Sequence, residues 1–516
     1  MNAARDARTD AGSQAATREG GARPSWLREN LEAIVVAVVL ALLIRQYVTE
    51  AFVIPTGSMA PTLLGKHVEV RCPNCGWRQP VTVNVLSRAV GSNAPANAAG
   101  TCPGCGRRYA VELPEDAFHA GTATIRCRVC GGQVRLEPLA DPIEKGDART
   151  LVQCGNCRYR YEAHVSPRLW PLGDVSRGDR ILVNKQSYRF GSVHRYEIAV
   201  FKFPDEPSEN FIKRIVGLPG ETLDVKAGDL WVNGKVARKP LSVQRSVWQP
   251  VYDTGYPEKD DGAGTERGAP WRDEAGSWRP TEDRRGFVAS PPEGGLAVRA
   301  YARPIDNWTP YNVFTNAGGT ELVRDARAVL DVHCDPPAWF GVELETDDDR
   351  FRVRIEPHGG RVVVERDGAP FAEASFAPRP GALQCEVARA DERLLVRVAG
   401  DLVLARPFTA DSTRCTRSVL RLLASGGPVT FDRVRISRDL HYLATIRRPE
   451  RYRRKFGTKI FPFRVPEGHY FAMGDNAPNS TDSRVWGPIP AGHLVGRAFC
   501  VFWPALPYDW AVRRLR

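Results

Sequence analysis

The chain has 516 residues, of which 42% are hydrophobic, and it carries a formal net charge of +12. This length excludes a single ordinary domain, and the hydrophobic fraction is sufficient for several cores. The 40 prolines and 46 glycines indicate many turns and therefore a mainly β protein. The positive charge would suit nucleic acid or anionic lipid, but it is spread thinly along the sequence.

The N-terminal region combines a polar tail with an apolar segment. Residues 1–25 lack apolar periodicity and are predicted to form a disordered cytoplasmic tail. A charge-free apolar run at 33–44 predicts a transmembrane anchor over 26–50, if the charged residues at its ends lie near the membrane interfaces. A buried core helix and a cleavable signal peptide are the alternatives. Arginines before the run favour a cytoplasmic N-terminus, with the rest of the chain outside.

A short strand and a tight turn follow the apolar segment. Phe52 to Ile54 have the β-branched and aromatic character of a strand, and Pro55 and Gly57 then impose a turn. Ser58 is the first candidate nucleophile after this turn. On these residues alone, an ordinary turn serine is an equally good interpretation.

Eight of the twelve cysteines form four Cys-x-x-Cys pairs within 72–165. Their spacing predicts two tandem zinc-ribbon-like modules, each closing a tetrahedral four-thiolate site for a structural Zn²⁺ ion. Disulfides are the alternative in an oxidising compartment. No aromatic platform accompanies the pairs, so nucleic acid is not an expected partner. The predicted ligands are Cys72, Cys75, Cys102 and Cys105 in the first module, and Cys127, Cys130, Cys154 and Cys157 in the second.

The β-rich segment 166–245 contains the candidate base. Lys213 lies between apolar residues, and a lysine can serve as a general base when burial lowers its pKa. The apolar flanks predict that one of Lys213 and Arg214 is buried. An exposed strand lysine is the alternative.

Two further segments separate this region from the C-terminal part of the chain. Residues 246–290 are rich in Trp, Pro, Gly and Asp and are predicted to be an irregular linker. Short alternating runs over 291–443 predict an inserted, jelly-roll-like β-sandwich. The acidic triplet 347–349 is interpreted as a hairpin turn and not as a calcium site. From 444 to 516 the β-rich pattern resumes.

Four sequence blocks together resemble the bacterial type I signal peptidases, which are membrane-anchored serine proteases of the Ser-Lys class. The blocks are Phe-Val-Ile-Pro-Thr-Gly-Ser-Met-Ala-Pro-Thr-Leu at 52–63, Gly-Asp-Arg-Ile-Leu-Val-Asn-Lys at 178–185, Phe-Ile-Lys-Arg-Ile-Val-Gly-Leu-Pro-Gly at 211–220, and 474–484, which begins Gly-Asp-Asn and ends Asp-Ser-Arg. The resemblance implies a β-rich catalytic domain in three parts, over 51–71, 166–245 and 444–516. The cysteine modules, the linker and the sandwich lie outside it.

The resemblance also implies roles for individual residues. Ser58 matches the nucleophile and Lys213 the general base, while the Ser58 amide and the Thr56 side chain match the oxyanion hole. Ser480 matches the serine that orients the lysine amine. The supporting residues are Gly57 in the turn and the ion pair of Asp482 and Arg484. Positions that line the substrate pockets are matched by Phe52, Ile54, Met59, Leu63, Phe211 and Ile212.

The activity that the resemblance implies is removal of signal peptides from exported preproteins, by cleavage after small residues of the Ala-x-Ala type. The expected partners are these preproteins and the lipid bilayer, and catalysis is expected to need no cofactor. One departure is Ala477-Pro478, which stands where the family usually has an Arg-Asp pair. The alternative hypothesis is an inactive, membrane-tethered protein that binds through its zinc ribbons and sandwich. The sequence names no ligand for the sandwich.

Overall fold

Two units make up the chain, one spanning Met1–Glu50 and the other Ala51–Arg516. We describe each by itself, from a computed structural model. The described residues are 26–82, 98–101, 108–111, 123–126, 132–138, 148–165, 175–176, 178–259, 268–312, 321–410, 414–445, 460–503 and 513–515. The predicted tail at 1–25 lies outside them.

Helices are few. The first unit contains α1, a 22-residue helix whose described apolar side chains, such as Val36 and Leu40, are exposed. Among the described residues, no helix combines the length and the apolarity that crossing a membrane requires. The anchor therefore stays a prediction. The helices are α1 (Trp26–Tyr47), α2 (Ser187–Phe190), α3 (Leu241–Val247) and α4 (Ser483–Trp486), with 3₁₀ turns at Gly57–Met59, Pro310–Asn312, Ala477–Asn479 and Ala491–His493.

Strands dominate the described residues, so the prediction of a mainly β protein is confirmed. The strands before residue 240 are β1 (Thr49–Val53), β2 (His67–Arg71), β3 (Arg78–Thr82), β4 (Ala98–Thr101), β5 (Arg108–Val111), β6 (Ala123–Arg126), β7 (Gln133–Pro138), β8 (Ala148–Gln153), β9 (Arg160–Val165), β10 (Val175–Ser176), β11 (Arg180–Asn184), β12 (Ile198–Lys202), β13 (Asn210–Gly217), β14 (Thr222–Lys226), β15 (Asp229–Val232) and β16 (Lys235–Val236). An Asn-Gly turn joins β15 to β16, and Asn233 and Gly234 both have positive φ, as such a hairpin requires.

The later strands are β17 (Gln249–Asp253), β18 (Trp271–Ala275), β19 (Ser277–Pro280), β20 (Phe287–Ser290), β21 (Leu296–Tyr301), β22 (Ala326–Cys334), β23 (Trp339–Thr346), β24 (Arg350–Glu356), β25 (Arg361–Arg366), β26 (Ala369–Ser375), β27 (Leu383–Arg389), β28 (Arg393–Val398), β29 (Asp401–Pro407), β30 (Ser418–Ser425), β31 (Val429–Arg438), β32 (Phe463–Arg464), β33 (His469–Met473), β34 (Ile489–Pro490), β35 (Leu494–Trp503) and β36 (Arg513–Arg514). Strands distant in sequence are neighbours in the main sheet, whose order is β1-β11-β35-β12-β13-β33-β34. Its two faces carry separate apolar clusters, one around Ile181 and Val200 and the other around Phe201 and Trp486.

A two-sheet unit is built from β17 to β31. One sheet has the order β19-β20-β31-β22-β27-β28-β29, with β17 beside β31, and the other has the order β18-β21-β30-β23-β24-β25-β26. Both sheets contribute to one apolar cluster, as Phe340 and Phe431 illustrate, and a β-sandwich requires this arrangement.

The prediction of an irregular linker at 246–290 is wrong, because four strands of the two-sheet unit, β17 to β20, lie within this range. The composition of this range did not indicate strands. The tryptophans that suggested irregular structure pack against the apolar cluster of the two-sheet unit. Trp271 is buried against Tyr252 and Tyr301, and Trp278 packs on the same cluster. The two-sheet unit therefore begins near residue 249 and not at 291.

The structure also corrects the predicted pairing of Cys72 and Cys75 with the next Cys-x-x-Cys pair along the chain. Cys72 and Cys75 lie between β2 and β3, and the structure brings them to Cys154 and Cys157, between β8 and β9. The two hairpins pack together through a shared apolar cluster, so the first and last cysteine pairs meet. The pairs at 102/105 and 127/130 lie outside the described residues.

Candidate active site

The turn that carries Ser58 is shaped by its neighbours. Gly57 to Met59 form one 3₁₀ turn directly after the extended residue Thr56. Gly57 is buried, and a Cβ atom at this position would lie 2.0 Å from Cε1 of Tyr311, so only glycine fits here. Ser58 itself is half-buried, which leaves its hydroxyl on the border between the core and solvent.

Strand β13 places Lys213 against this turn. The Lys213 Nζ atom lies 2.8 Å from the Ser58 Oγ atom and 2.9 Å from the carbonyl oxygen of Ile212. The lysine residue is only 4% exposed. Burial lowers the pKa of the Lys213 amine to about 8, although the carboxylates of Asp482 and Asp475 oppose the shift. At pH 7 about a tenth of a lysine with this pKa is neutral, far more than of an exposed lysine, and the neutral form can accept a proton from the serine.

Both members of the Lys213 and Arg214 pair are buried, which corrects the prediction that only one would be. Arg214 donates from Nε and Nη2 to the two carboxylate oxygens of Asp475, at 2.8 and 2.6 Å, and from Nη1 to the Tyr196 carbonyl at 2.7 Å. Apolar clusters lie on both faces of the main sheet, so both faces of β13 are covered. Burial alone would lower the pKa of Arg214, and Asp475 raises it above its ordinary value.

The loop after β33 closes the site from the other side. Asp482 accepts from the backbone N–H groups of Gly474 and Arg484, at 3.0 and 3.1 Å, and pairs with the Arg484 guanidinium at 2.7 Å. Burial would raise the pKa of Asp482, but Arg484 and these N–H groups lower it below its usual value. Asp482 and Arg484 are therefore within ion-pair distance, and their hydrogen bonds hold the loop after β33 in one conformation.

Two predicted residues have no hydrogen-bonding role in this geometry. The buried Ser480 hydroxyl has no partner at hydrogen-bond geometry within the described chain, although it lies near enough to Asp482 to help lower the pKa of that carboxyl. Thr56 is exposed, and its side chain caps no N–H group of the following turn. Both hydroxyls are thus uncommitted.

The six predicted pocket residues divide into two groups. Met59 and Leu63 are fully buried and Ile54 is 2% exposed, so these three belong to the core beneath the site. Phe52, Phe211 and Ile212 are half-buried and offer surface. Since neighbouring strand residues point to opposite faces, Phe211 and Ile212 join different apolar clusters, and the Phe211 ring stacks on Phe203.

A four-cysteine centre, formed by Cys72, Cys75, Cys154 and Cys157, fits a metal ion. Its four sulfur atoms lie within 4.8 Å of one another and are buried. The Sγ–Sγ separations of 3.6 Å from Cys72 to Cys157 and from Cys75 to Cys154 are close to the roughly 3.8 Å edge of a tetrahedral Zn–S₄ site. A disulfide requires about 2.05 Å.

Sequence reasoning missed Asn476. Its backbone N–H donates to the Ser58 carbonyl at 3.1 Å, and its side-chain amide donates to the Gly57 carbonyl at 2.9 Å. Its position inside the 474–484 block was a signal, but only the packing of this loop against the serine turn shows what it binds.

Comparison with known proteins gives matches to the parts of the chain that carry the candidate dyad. The family described as signal peptidase, peptidase S26, matches residues 27–72, 173–265 and 425–503. Signal peptidase I V of Bacillus subtilis is 43% identical over 91 residues, covering 17% of this chain and 53% of that protein. Signal peptidase I of Leptolyngbya laminosa is 35% identical over 130 residues, covering 24% of this chain and 61% of that protein. The segments that carry Ser58, Lys213 and the loop after β33 are therefore similar to signal peptidases of the S26 family.

The chain spans between half and two thirds of the length of these two relatives. Among solved structures, a carbohydrate-binding module, CBM66 from Bacillus subtilis, matches with 12% identity and a TM-score of 0.22, covering 31% of this chain and 91% of that one.

Proposed function

We propose that this protein is a membrane-anchored serine endopeptidase that removes signal peptides from exported preproteins with a Ser-Lys dyad. The observation that carries the proposal is the 2.8 Å contact between the buried Lys213 amine and the Ser58 hydroxyl. The likeness of the catalytic segments to the S26 peptidases supports it.

The dyad performs acyl transfer in two steps. Neutral Lys213 takes the proton of Ser58 as Oγ attacks the scissile carbonyl, and the resulting ammonium then gives that proton to the departing amine. Water, deprotonated by the same lysine, then attacks the acyl-enzyme carbonyl, and the Ser58 oxygen leaves and recovers its proton. The Ser58 N–H and the uncommitted Thr56 hydroxyl are the proposed oxyanion donors. One such donor is worth about 3 kcal/mol in the transition state.

The substrate lies as an added strand beside residues 52–55, where main-chain hydrogen bonds supply affinity without sequence specificity. Phe52 and Ile212 offer half-buried apolar surface for the side chains before the cut. Small residues of the Ala-x-Ala type fit pockets whose floor is closed by the buried Met59 and Leu63.

Other parts of the chain have proposed roles outside the chemical step. Helix α1, with its exposed apolar side chains, is the proposed anchor, with the N-terminus in the cytoplasm and the catalytic domain outside. The four-cysteine centre would hold a structural Zn²⁺ ion, which links two hairpins and takes no part in the chemistry. Ser480 is proposed to orient the Lys213 amine.

Cleavage of a preprotein by the purified protein tests the proposal. Ser58→Ala and Lys213→Ala should each abolish cleavage, because they remove the nucleophile and its base. Ser208→Ala and Lys202→Ala, at exposed positions, are the matched controls and should cleave at the wild-type rate. Retained cleavage in either dyad variant would refute the assignment.

A further inference from the structure

Asn476 fixes the backbone on both sides of the nucleophile. Its N–H group bonds the Ser58 carbonyl, and its side chain bonds the Gly57 carbonyl. The position of the Asn476 amide therefore determines where the Ser58 hydroxyl lies relative to Lys213.

Asn312, a residue of the inserted two-sheet unit, holds Asn476 in turn. The two side-chain amides bond each other reciprocally: Asn312 Nδ2 donates to Asn476 Oδ1 at 2.6 Å, and Asn476 Nδ2 donates to Asn312 Oδ1 at 2.8 Å. Asn479 adds a bond to the same Asn312 oxygen at 3.2 Å. Asn312 and Asn476 are only 3% and 2% exposed, so water competes little for these bonds.

Tyr311 covers the other side of the same turn. Its ring occupies the space beside Gly57, and its hydroxyl donates to the Lys66 carbonyl at 3.3 Å. The side chain is 1% exposed. Residues 311 and 312 thus contact the serine turn from within a segment that the catalytic blocks of the sequence do not include.

The far side of this segment rests on the four-cysteine centre. A Cβ atom at Gly155, between two of the cysteines, would lie 3.0 Å from Cγ of Pro310. Arg158 pairs with Asp306 at 3.1 Å and lies 4.4 Å over the Trp308 ring. The segment 306–312 is therefore fixed at one end by the cysteine hairpin and reaches the nucleophile turn at the other.

We propose that Asn312 is a positioning residue for the nucleophile, acting through Asn476, and that the inserted two-sheet unit is a required part of the active site. This inference rests on the proposed Ser-Lys function. It explains how an insertion far from the dyad in sequence contributes to catalysis: the amide pair restricts the Ser58 turn to the conformation in which Oγ faces the lysine.

The test is steady-state cleavage of a preprotein by the full chain carrying Asn312→Ala. We expect kcat to fall on the order of 10-fold to 100-fold, because a small displacement of a nucleophile has effects of this size. KM should change little, and the midpoint of the pH profile should stay where the wild type has it, since the surroundings of Lys213 are unchanged. Because a partial loss of fold would also lower the apparent kcat at unchanged KM, kcat is expressed per active site titrated with a serine-reactive probe, and a loss of fold alone would leave that kcat at the wild-type value.

Asn307→Ala is the matched control, because Asn307 is an equally buried asparagine of the same segment and accepts from the Glu321 N–H at 3.5 Å. It should leave kcat within about twofold. If Asn312→Ala does not fold, Asn312→Asp replaces it. That variant keeps the acceptor oxygen but loses the bond to Asn476 Oδ1, and kcat should fall about threefold to tenfold.

A folded Asn312→Ala variant with the kcat of the wild type would overturn the inference, as would an unchanged kcat for Asn312→Asp where the alanine variant does not fold. Failure of the proposed function gives a different result: the wild type itself would cleave no preprotein.

Discussion

Arg214 and Asp475 form a bidentate ion pair in which both side chains are fully buried. Arg214 follows Lys213 directly in the sequence, and strand β13 sends the two side chains to opposite faces. The arginine is therefore fully paired, whereas burial lowers the pKa of the neighbouring lysine. Strand β13 thus carries a buried, ion-paired arginine next to a lysine whose pKa is lowered.

This difference predicts opposite effects on stability. Arg214→Met should lower the free energy of unfolding by about 3–5 kcal/mol, because it leaves the Asp475 carboxylate buried without its partner. Lys213→Met should leave it unchanged or raise it, because it removes an amine that burial disfavours in its charged form. Urea denaturation of both variants at pH 7 measures the contrast. Equal losses would show that the lysine is also structurally paired.

Activity should depend on the protonation of Lys213, whose pKa burial lowers to about 8. The base must be neutral, so kcat/KM should rise about tenfold per pH unit below 8 and level off above it. The measurement is the pH profile of preprotein cleavage. A midpoint near 10, the value of an exposed lysine, would show that Lys213 is not the desolvated base.

Metal content should depend on the four-cysteine centre. Cys72, Cys75, Cys154 and Cys157 form one centre, so Cys154→Ser should bind about one Zn²⁺ ion fewer per chain than the wild type. Its melting temperature should also be lower, because the two hairpins lose their link. Cys415→Ser, a cysteine outside the centre, is the control and should keep the full amount. Metal analysis and thiol titration decide the matter. Metal-free protein with four disulfides would exclude zinc.

Gly57 should tolerate no side chain. Gly57→Ala would place a Cβ atom within 2.0 Å of the Tyr311 ring, so either the turn or the ring must move. We expect a fall in kcat on the order of 100-fold together with a lower melting temperature. Gly492→Ala, where no heavy atom lies within 4 Å, should behave as the wild type. Full activity in Gly57→Ala would contradict the tight packing of this turn.

Lys239 joins the catalytic part of the chain to the two-sheet unit, where it bonds Asp391 at 2.5 Å and Asp439 at 2.8 Å in the buried interior. Lys239→Met should lower the free energy of unfolding by about 3–5 kcal/mol, because two carboxylates lose their cation. Lys226→Met removes a partly exposed pair and should cost less than about 1 kcal/mol. Urea denaturation of both variants measures the two losses of unfolding free energy. Equal losses would argue against a buried ionic link through Lys239.

The sequence by itself determined the dyad candidates and the mainly β class. Pro55 and Gly57 predict a turn, and the apolar neighbours of Lys213 predict its burial. Alternating apolar and polar residues predict strands. Each of these patterns is local, so the sequence shows it directly. The same reasoning predicted a strand followed by a turn before Ser58, and the structure has β1 and then the 3₁₀ turn Gly57–Met59 there. Local signals also misled: the tryptophans of 246–290 suggested a linker where the structure has strands.

Only the tertiary structure decided which distant residues meet. The Cys-x-x-Cys pairs are alike in sequence, so spacing could not reveal that the first pair joins the last; the packing of two hairpins decides it. Burial of Arg214 depends on β13 being covered on both faces. The contact of Asn312 with Asn476 joins residues 164 positions apart, through amides that carry no motif. Such contacts depend on the packing of whole sheets, which no short stretch of sequence encodes.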